Sequence, residues 1–290
     1  MINLVIFDYD GTVADIRDGA PDFDRAFVRA LADFVGESDI RQEWERLKVT
    51  IRSESPERAW SVVGTDGIAP AAADPYTLAS EAAKLFLEQK GLATSPALRG
   101  LIAGELYKVA YAQASYSFRP DARVVLGVLM KARLGDRQIR TCFVTNASTE
   151  TVRQRLTNRL FPEGLDPISV HGGASKFRLG PPAAPDSRFD SLPESVRLPE
   201  LERPVFLKRG AYFDVLKELW ADPSHPAVPE TTLVVGDIWE LDLALPAALG
   251  THTHFILRDN TYDYELAAAR DCGRCQVSAQ LFPVLQRIFE

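Results

Sequence analysis

The stretch Ile2-Asn3-Leu4-Val5-Ile6-Phe7-Asp8-Tyr9-Asp10-Gly11-Thr12 decides the fold. The run Ile2–Phe7 is apolar along its length rather than alternating, the pattern of a strand buried on both faces, as in a parallel sheet. It ends at Asp8 and Asp10, so the strand pleat turns both carboxylates to one side and Tyr9 to the other. Gly11 and Thr12 then fit a tight turn whose backbone N–H groups can approach an anion. Two carboxylates so close repel one another unless a cation or a proton separates their roles.

Working outward, further short apolar runs lie at Ile139–Val144, Val205–Leu207, Leu233–Val235 and Thr253–Leu257. Helical periodicity fills much of the rest: Phe23, Phe27, Ala30, Leu31 and Phe34 recur at spacings of three and four, as do Leu98, Leu101, Ile102, Leu106 and Val109. Strand runs separated by helical segments predict an α/β protein with a doubly wound, Rossmann-like parallel sheet. Polar residues follow four of the runs directly: Asp8 and Asp10, Thr145 and Asn146, Lys208, and Asp237. Ligands of such sheets bind beyond the carboxyl ends of the strands, so four strand ends are expected to meet at one crevice.

The runs are unevenly spaced. About 130 residues separate the first from the second, where an ordinary crossover needs far fewer. An inserted all-helical domain is therefore expected over residues 16–118, with the core formed by 1–15 and 119–290. A second irregular stretch spans about 160–204, where Pro181, Pro182, Pro185, Pro193, Pro199 and Pro204 exclude long helices. It reads as a packed surface loop or a second insert, with a lid as the alternative.

The chain has 290 residues, 46% of them hydrophobic, enough for a full core in one large domain or two modest ones. The net charge of −7 includes no basic tract, so no nucleic-acid partner is expected. The first apolar run lacks a basic flank and is cut by Asp8 too soon for a signal peptide or a membrane span, which predicts a soluble, cytoplasmic protein with no membrane partner. Oligomeric state cannot be read from these features. Cys272-Gly273-Arg274-Cys275 lacks two further ligands at matching spacing and reads as a loop pair. His171, His252 and His254 show no ligand spacing, Tyr107, Tyr111 and Tyr116 read as helix packing, and Arg17 and Glu240 read as solvated surface residues.

The chemistry lies at the strand ends. A metal-bound Asp8 stays ionised and can attack phosphorus, while Asp10, protonated, can donate to a leaving oxygen and later activate water. Gly11, Thr12 and the Thr145 hydroxyl are placed to hold a phosphate; Asn146 either joins them or caps the following helix. Lys208 supplies a compact positive charge for a phosphate oxygen. It is preferred to Lys176, which lies about sixty residues before Asp237, too far for one helix and a turn. Asp237 and Asp242 offer hard oxygen ligands suited to Mg²⁺, Asp242 either directly, through water, or by supporting Asp237.

Asp8-Tyr9-Asp10-Gly11-Thr12, Thr145-Asn146, Lys208, and Gly236-Asp237 with Asp242 resemble, in order, the four motifs of the haloacid dehalogenase superfamily. The resemblance covers residues 1–15 and 119–290, and the helical insert resembles a cap domain between the first and second motifs. Asp15 and Arg119-Pro120-Asp121 fit those surroundings; Arg209 departs from them, standing where proline commonly follows the lysine. The resemblance implies a phospho-aspartyl intermediate on Asp8, acid–base work by Asp10, and Mg²⁺ held among Asp8, Asp10, Asp237 and Asp242. Dehalogenases and phosphonate hydrolases of the superfamily generally lack an aspartate where Asp10 stands, so a magnesium-dependent phosphohydrolase acting on a small phosphorylated metabolite is expected. The alternatives are a phosphomutase or phosphotransferase, a non-catalytic binding protein of the same fold, and a zinc or redox protein built on Cys272 and Cys275.

Overall fold

The computed structural model describes residues 1–53, 61–62, 67–68 and 73–289. The chain divides into two compact units, Ile16–Ser117, and Met1–Asp15 together with Phe118–Glu290.

The unit Ile16–Ser117 is built on helices α1 (Ile16–Val35), α2 (Arg41–Ser53), α3 (Pro75–Gln89) and α4 (Pro96–Gln113). Asp74 caps α3 by accepting the Tyr76 N–H at 2.9 Å, and proline occupies the first position of both α3 and α4, where its missing N–H costs nothing. The core is aromatic: Phe23 and Phe27 of α1 meet Trp44 of α2, Tyr76 of α3, and Tyr107 and Tyr111 of α4. The tyrosines Tyr107 and Tyr111 thus pack helices, as expected. A short antiparallel pair, Ser61–Val62 with Gly67–Ile68, interrupts the expected run of helices. The helical expectation for 54–60, 63–66 and 69–72 lies outside the described residues.

The other unit contains a six-stranded sheet of β1 (Leu4–Phe7), β2 (Arg140–Val144), β3 (Ser169–His171), β4 (Thr232–Gly236), β5 (His252–Ile256) and β6 (Cys275–Ser278). Their spatial order is 6-5-4-1-2-3, and every neighbouring pair is parallel. Alternate residues of β1 face opposite cores. Val5 and Phe7 pack with α5 (Ala122–Leu129), α6 (Thr149–Arg159) and α11 (Phe282–Phe289), whereas Leu4 and Ile6 pack with α8 (Gly210–Trp220), α9 (Ala244–Ala248) and α10 (Asp263–Asp271). Burial on both faces is why the strand reads as an unbroken apolar run. Chain order reverses between β1 and β4, so the residues just beyond these two strands flank the crevice of a doubly wound sheet. Among the described residues, no helix is long and apolar enough to cross a membrane.

Two expectations are corrected. The run Val205–Leu207 contributes nothing to the main sheet; Val205–Phe206 pairs antiparallel with Ser195–Val196. The third strand end is instead that of β3, inside the proline-rich stretch. Beyond it the Gly180 N–H donates to Lys208 O at 2.9 Å and the Gly210 N–H donates to Gly180 O at 3.0 Å. Residues 181–208, which include helix α7 (Ser187–Asp190), therefore begin and end at one point, and their Phe189, Leu192, Val205 and Leu207 pack into the same core as Leu4 and Ile6. Gly210 is required at this mouth, because a Cβ there would lie 2.1 Å from Pro181 O.

Candidate active site

Asp8 follows β1 directly, and its N–H donates to Val235 O of β4 at 2.8 Å, which fixes it at the switch point. Its Oδ1 accepts a hydrogen bond from Lys176 Nζ at 2.7 Å, and the same ammonium donates to Asp242 Oδ1 at 2.8 Å. The Thr12 hydroxyl lies 3.2 Å from Asp8 Oδ2 and 2.9 Å from Asp237 Oδ1, donating to one at a time. Arg258, just past β5, donates from Nε to Asp237 O at 2.7 Å, with Asp237 Oδ2 at 3.4 Å. Asp242 sits in a π-helical turn, Trp239–Leu243, where its Oδ2 accepts the Ile238 N–H at 3.0 Å and its carbonyl accepts the Tyr212 hydroxyl at 2.9 Å.

The backbone around this group tolerates no side chain at two glycines. Gly11 has φ +84°, and a Cβ would stand 2.1 Å from Asp237 Oδ2; at Gly236 it would stand 2.3 Å from Asp242 Cβ. Asp8, Asp237 and Asp242 are all buried, and each offers an oxygen within 4.8 Å of the others.

Burial raises the Asp8 carboxyl from 3.8 to about 7; Lys176 opposes the rise, and Asp242 and Asp10 add to it. Burial likewise holds Asp237 well above the usual carboxylate range, against the pull of Arg258. For Lys176, burial works against the ammonium, but Asp242 and Asp8 outweigh it and its pKa rises, so it stays charged. Were all three carboxyls ionised, Lys176 and Arg258, the latter shared with Glu265, would leave the cluster short of positive charge. Hard oxygens gathered this closely suit Mg²⁺, and a divalent cation would relieve that shortage.

The sequence-derived candidates are distributed as follows. Asp8, Thr12, Asp237 and Asp242 converge; the three converging carboxylates do not include Asp10. The Gly11 N–H is committed to Ala14 O at 3.0 Å. Thr145 is buried, its Oγ accepting the Ala147 N–H at 3.1 Å. Asn146 does not cap α6; Ser148 does, accepting the Thr151 N–H at 3.1 Å. Asn146 Oδ1 instead accepts the Lys176 N–H at 2.8 Å, tying the end of β2 to the lysine.

Lys208 is corrected. Its ammonium donates to Phe189 O at 2.6 Å and Asp190 O at 3.2 Å within the insertion, and Lys176 is the lysine at Asp8. Spacing misassigned it because residues 181–208 stand between Lys176 and helix α8. Glu240 is also corrected: it is fully buried and paired with Arg203 and Arg209. Arg209, Arg258 and Tyr212 carried no local sequence signal beyond the unusual Arg209-Gly210 itself. Cys272 and Cys275 are free and close a turn between α10 and β6, and burial pushes the Cys275 thiol up to about 11, far from a reactive thiolate.

Neither a protein-family model nor a curated protein matches the chain. Solved structures do share its fold. A phosphoglycolate phosphatase predicted in Haemophilus somnus 129pt aligns at TM-score 0.56 and 15% identity over 99% of this chain and 98% of that one. YfnB of Bacillus subtilis, proposed to be a HAD-hydrolase and bound to magnesium, aligns at 0.52 and 14% over 99% and 98%. A Thermotoga maritima protein proposed to be a beta-phosphoglucomutase aligns at 0.52 and 17% over 99% and 100%. The chain therefore has the fold of the haloacid dehalogenase-like hydrolases.

Proposed function

We propose that this chain is a magnesium-dependent phosphohydrolase of the haloacid dehalogenase type, acting on a small phosphorylated metabolite. The observation that carries the proposal is the buried group of Asp8, Asp237 and Asp242 around Lys176 at the switch point of the sheet. Asp8, Asp237 and Asp242 would hold the Mg²⁺, which when bound supplies positive charge to the transferring phosphoryl group. An Asp8 oxygen attacks phosphorus, the P–O bond to the substrate alcohol breaks, and Asp10 gives its proton to the departing oxygen. Water then attacks the aspartyl phosphate at phosphorus, Asp10 takes back a proton, and inorganic phosphate leaves with Asp8 restored. Lys176 keeps Asp8 oriented and its negative charge balanced through both steps. The helical unit, inserted directly after the Asp8 loop, serves as the cap that selects the substrate.

The test is a panel of phosphorylated metabolites with Mg²⁺, run on the wild type and on Asp8→Asn. Phosphate release should fall by about 10³-fold or more in the variant. Unchanged magnesium-dependent release by Asp8→Asn would sink the proposal. A phosphomutase, using the same aspartates, would release phosphate slowly and pass it to a second hydroxyl instead.

A further inference from the structure

In this chain the lysine at Asp8 is separated from helix α8 by residues 181–208, and something other than chain continuity has to hold it. Arg209, at the far side of the insertion's mouth, reaches back across it. Its Nη1 donates to Lys176 O at 2.8 Å, its Nε to Phe206 O at 2.9 Å, and its Nη2 to Glu240 Oε1 at 3.2 Å. Glu240 lies in the π-helical turn two residues before Asp242. Arg203, from the insertion, closes on it with two bonds, Nη1 to Oε1 at 3.0 Å and Nη2 to Oε2 at 2.5 Å. Arg209 and Glu240 are fully buried, whereas the Arg203 side chain is 20% exposed.

A buried Arg–Glu–Arg group is a poor source of stability, since apolar residues of similar volume often serve as well or better. What it does provide is fixed position. The Lys176 backbone is held at its N–H by Asn146 and at its C=O by Arg209. The turn that carries Asp242 is held through Glu240, and π-helical turns are uncommon and frequently occur at functional sites.

We propose that Arg209 and Glu240, closed off by Arg203, are positioning residues that set Lys176 and Asp242 against Asp8, so that the insertion is a working part of the site. This rests on the phosphohydrolase reading above. The experiment compares wild type, Glu240→Gln, and Arg140→Ala as a control. Arg140 pairs with Asp222 at 2.7 Å and stands at the first residue of β2, with Thr145 just past the far end of that strand. Melting temperature, Mg²⁺ affinity by calorimetry, and kcat and KM for p-nitrophenyl phosphate are measured on each.

Glu240→Gln should weaken Mg²⁺ binding and lower kcat by about 10- to 100-fold while KM for the ester moves less than about threefold. Arg140→Ala should lose melting temperature with Mg²⁺ affinity and kcat within about twofold of wild type. A Glu240→Gln protein that loses only melting temperature, like the control, overturns the proposal. If Glu240→Gln does not fold, Arg203→Ala takes its place, with about three- to tenfold weaker Mg²⁺ binding expected and wild-type affinity overturning. A wild type that releases no phosphate from p-nitrophenyl phosphate or from any ester of the metabolite panel overturns the phosphohydrolase reading alone, because the Mg²⁺ comparison still decides the positioning role.

Discussion

The two sides of the carboxylate cluster are built differently. On one side, Asp8, Gly11 and Thr12 come from five consecutive residues, and the pleat of β1 together with one left-handed glycine sets their arrangement. On the other, Lys176, Arg209 and Glu240 come from three separate stretches and are held by side chains that cross the mouth of an insertion. Local geometry can be written in a handful of residues, whereas tertiary positioning needs partners that only the fold brings together.

Beyond replacement of the nucleophile Asp8 itself, the largest expected effect is on the assembled side. Lys176→Ala leaves Asp8 and Asp242 buried without their shared cation, and kcat/KM with Mg²⁺ should fall by about 10²- to 10³-fold. Loss of the ammonium also removes the influence that opposes the raised Asp8 pKa, so the acidic limb of the pH–rate profile should move to higher pH. An unshifted limb with near wild-type kcat/KM would show that the lysine side does not govern Asp8.

The same contrast explains what was legible beforehand. Strands β1, β2, β4 and β5 lie inside the sheet, are covered on both faces, and announce themselves as apolar runs. β3 and β6 are the edges, where Ser169, His171, Gln276 and Ser278 are tolerated and the run dissolves. Val205–Leu207 looked like a core strand because a short apolar run carries no information about its partner. Asp8, Thr12, Asp237 and Asp242 were readable because each sits next to an interior strand or within the turn that follows one. Lys176 follows an edge strand and precedes an insertion, so both of its landmarks were missing. Glu240 looked solvated because a buried acid is distinguished only by its arginines, and those lie 31 and 37 positions away.

On the contiguous side, Gly11→Ala combines a positive φ with a Cβ 2.1 Å from Asp237 Oδ2. The backbone strain alone costs about 1–3 kcal/mol. Gly36→Ala supplies the comparison, since its φ is +75° and nothing lies within 4 Å of its Cβ. Thermal unfolding should place Gly11→Ala below Gly36→Ala, and only Gly11→Ala should weaken Mg²⁺ binding. Equal melting temperatures and intact Mg²⁺ affinity would mean that the Asp237 contact imposes nothing.

A smaller effect joins the two sides through pH. The metal-free Asp8 carboxyl is raised from 3.8 to about 7, chiefly by burial, so its neutral form is favoured in the folded protein. Its contribution to metal-free stability is present below 3.8 and is lost as pH rises through 7. Mg²⁺ needs the ionised form and displaces the proton, so its apparent affinity should strengthen by about tenfold per pH unit, about 1.4 kcal/mol, for Asp8 below 7, and the raised Asp237 carboxyl adds to that rise. Calorimetric titrations at pH 6, 7 and 8 check this, and a flat profile would remove Asp8 from the cation site.

The smallest effect is expected at Lys208, the lysine that spacing preferred. Its ammonium satisfies two carbonyls at the C-terminal end of α7, Phe189 O and Asp190 O, and lies 4.8 Å from the centre of the Phe189 ring. Cations near helix C-termini and over aromatic rings each contribute about 0.3–1 kcal/mol at partly exposed positions. Lys208→Ala should therefore lose about 1 kcal/mol of stability by thermal or urea unfolding while kcat/KM stays within about threefold of wild type. A loss matching that of Lys176→Ala would reverse the assignment of the two lysines and return the insertion's far end to the chemistry. Retained activity with a lowered melting temperature would leave Lys208 as a fastening within the insertion and Lys176 as the lysine of the site.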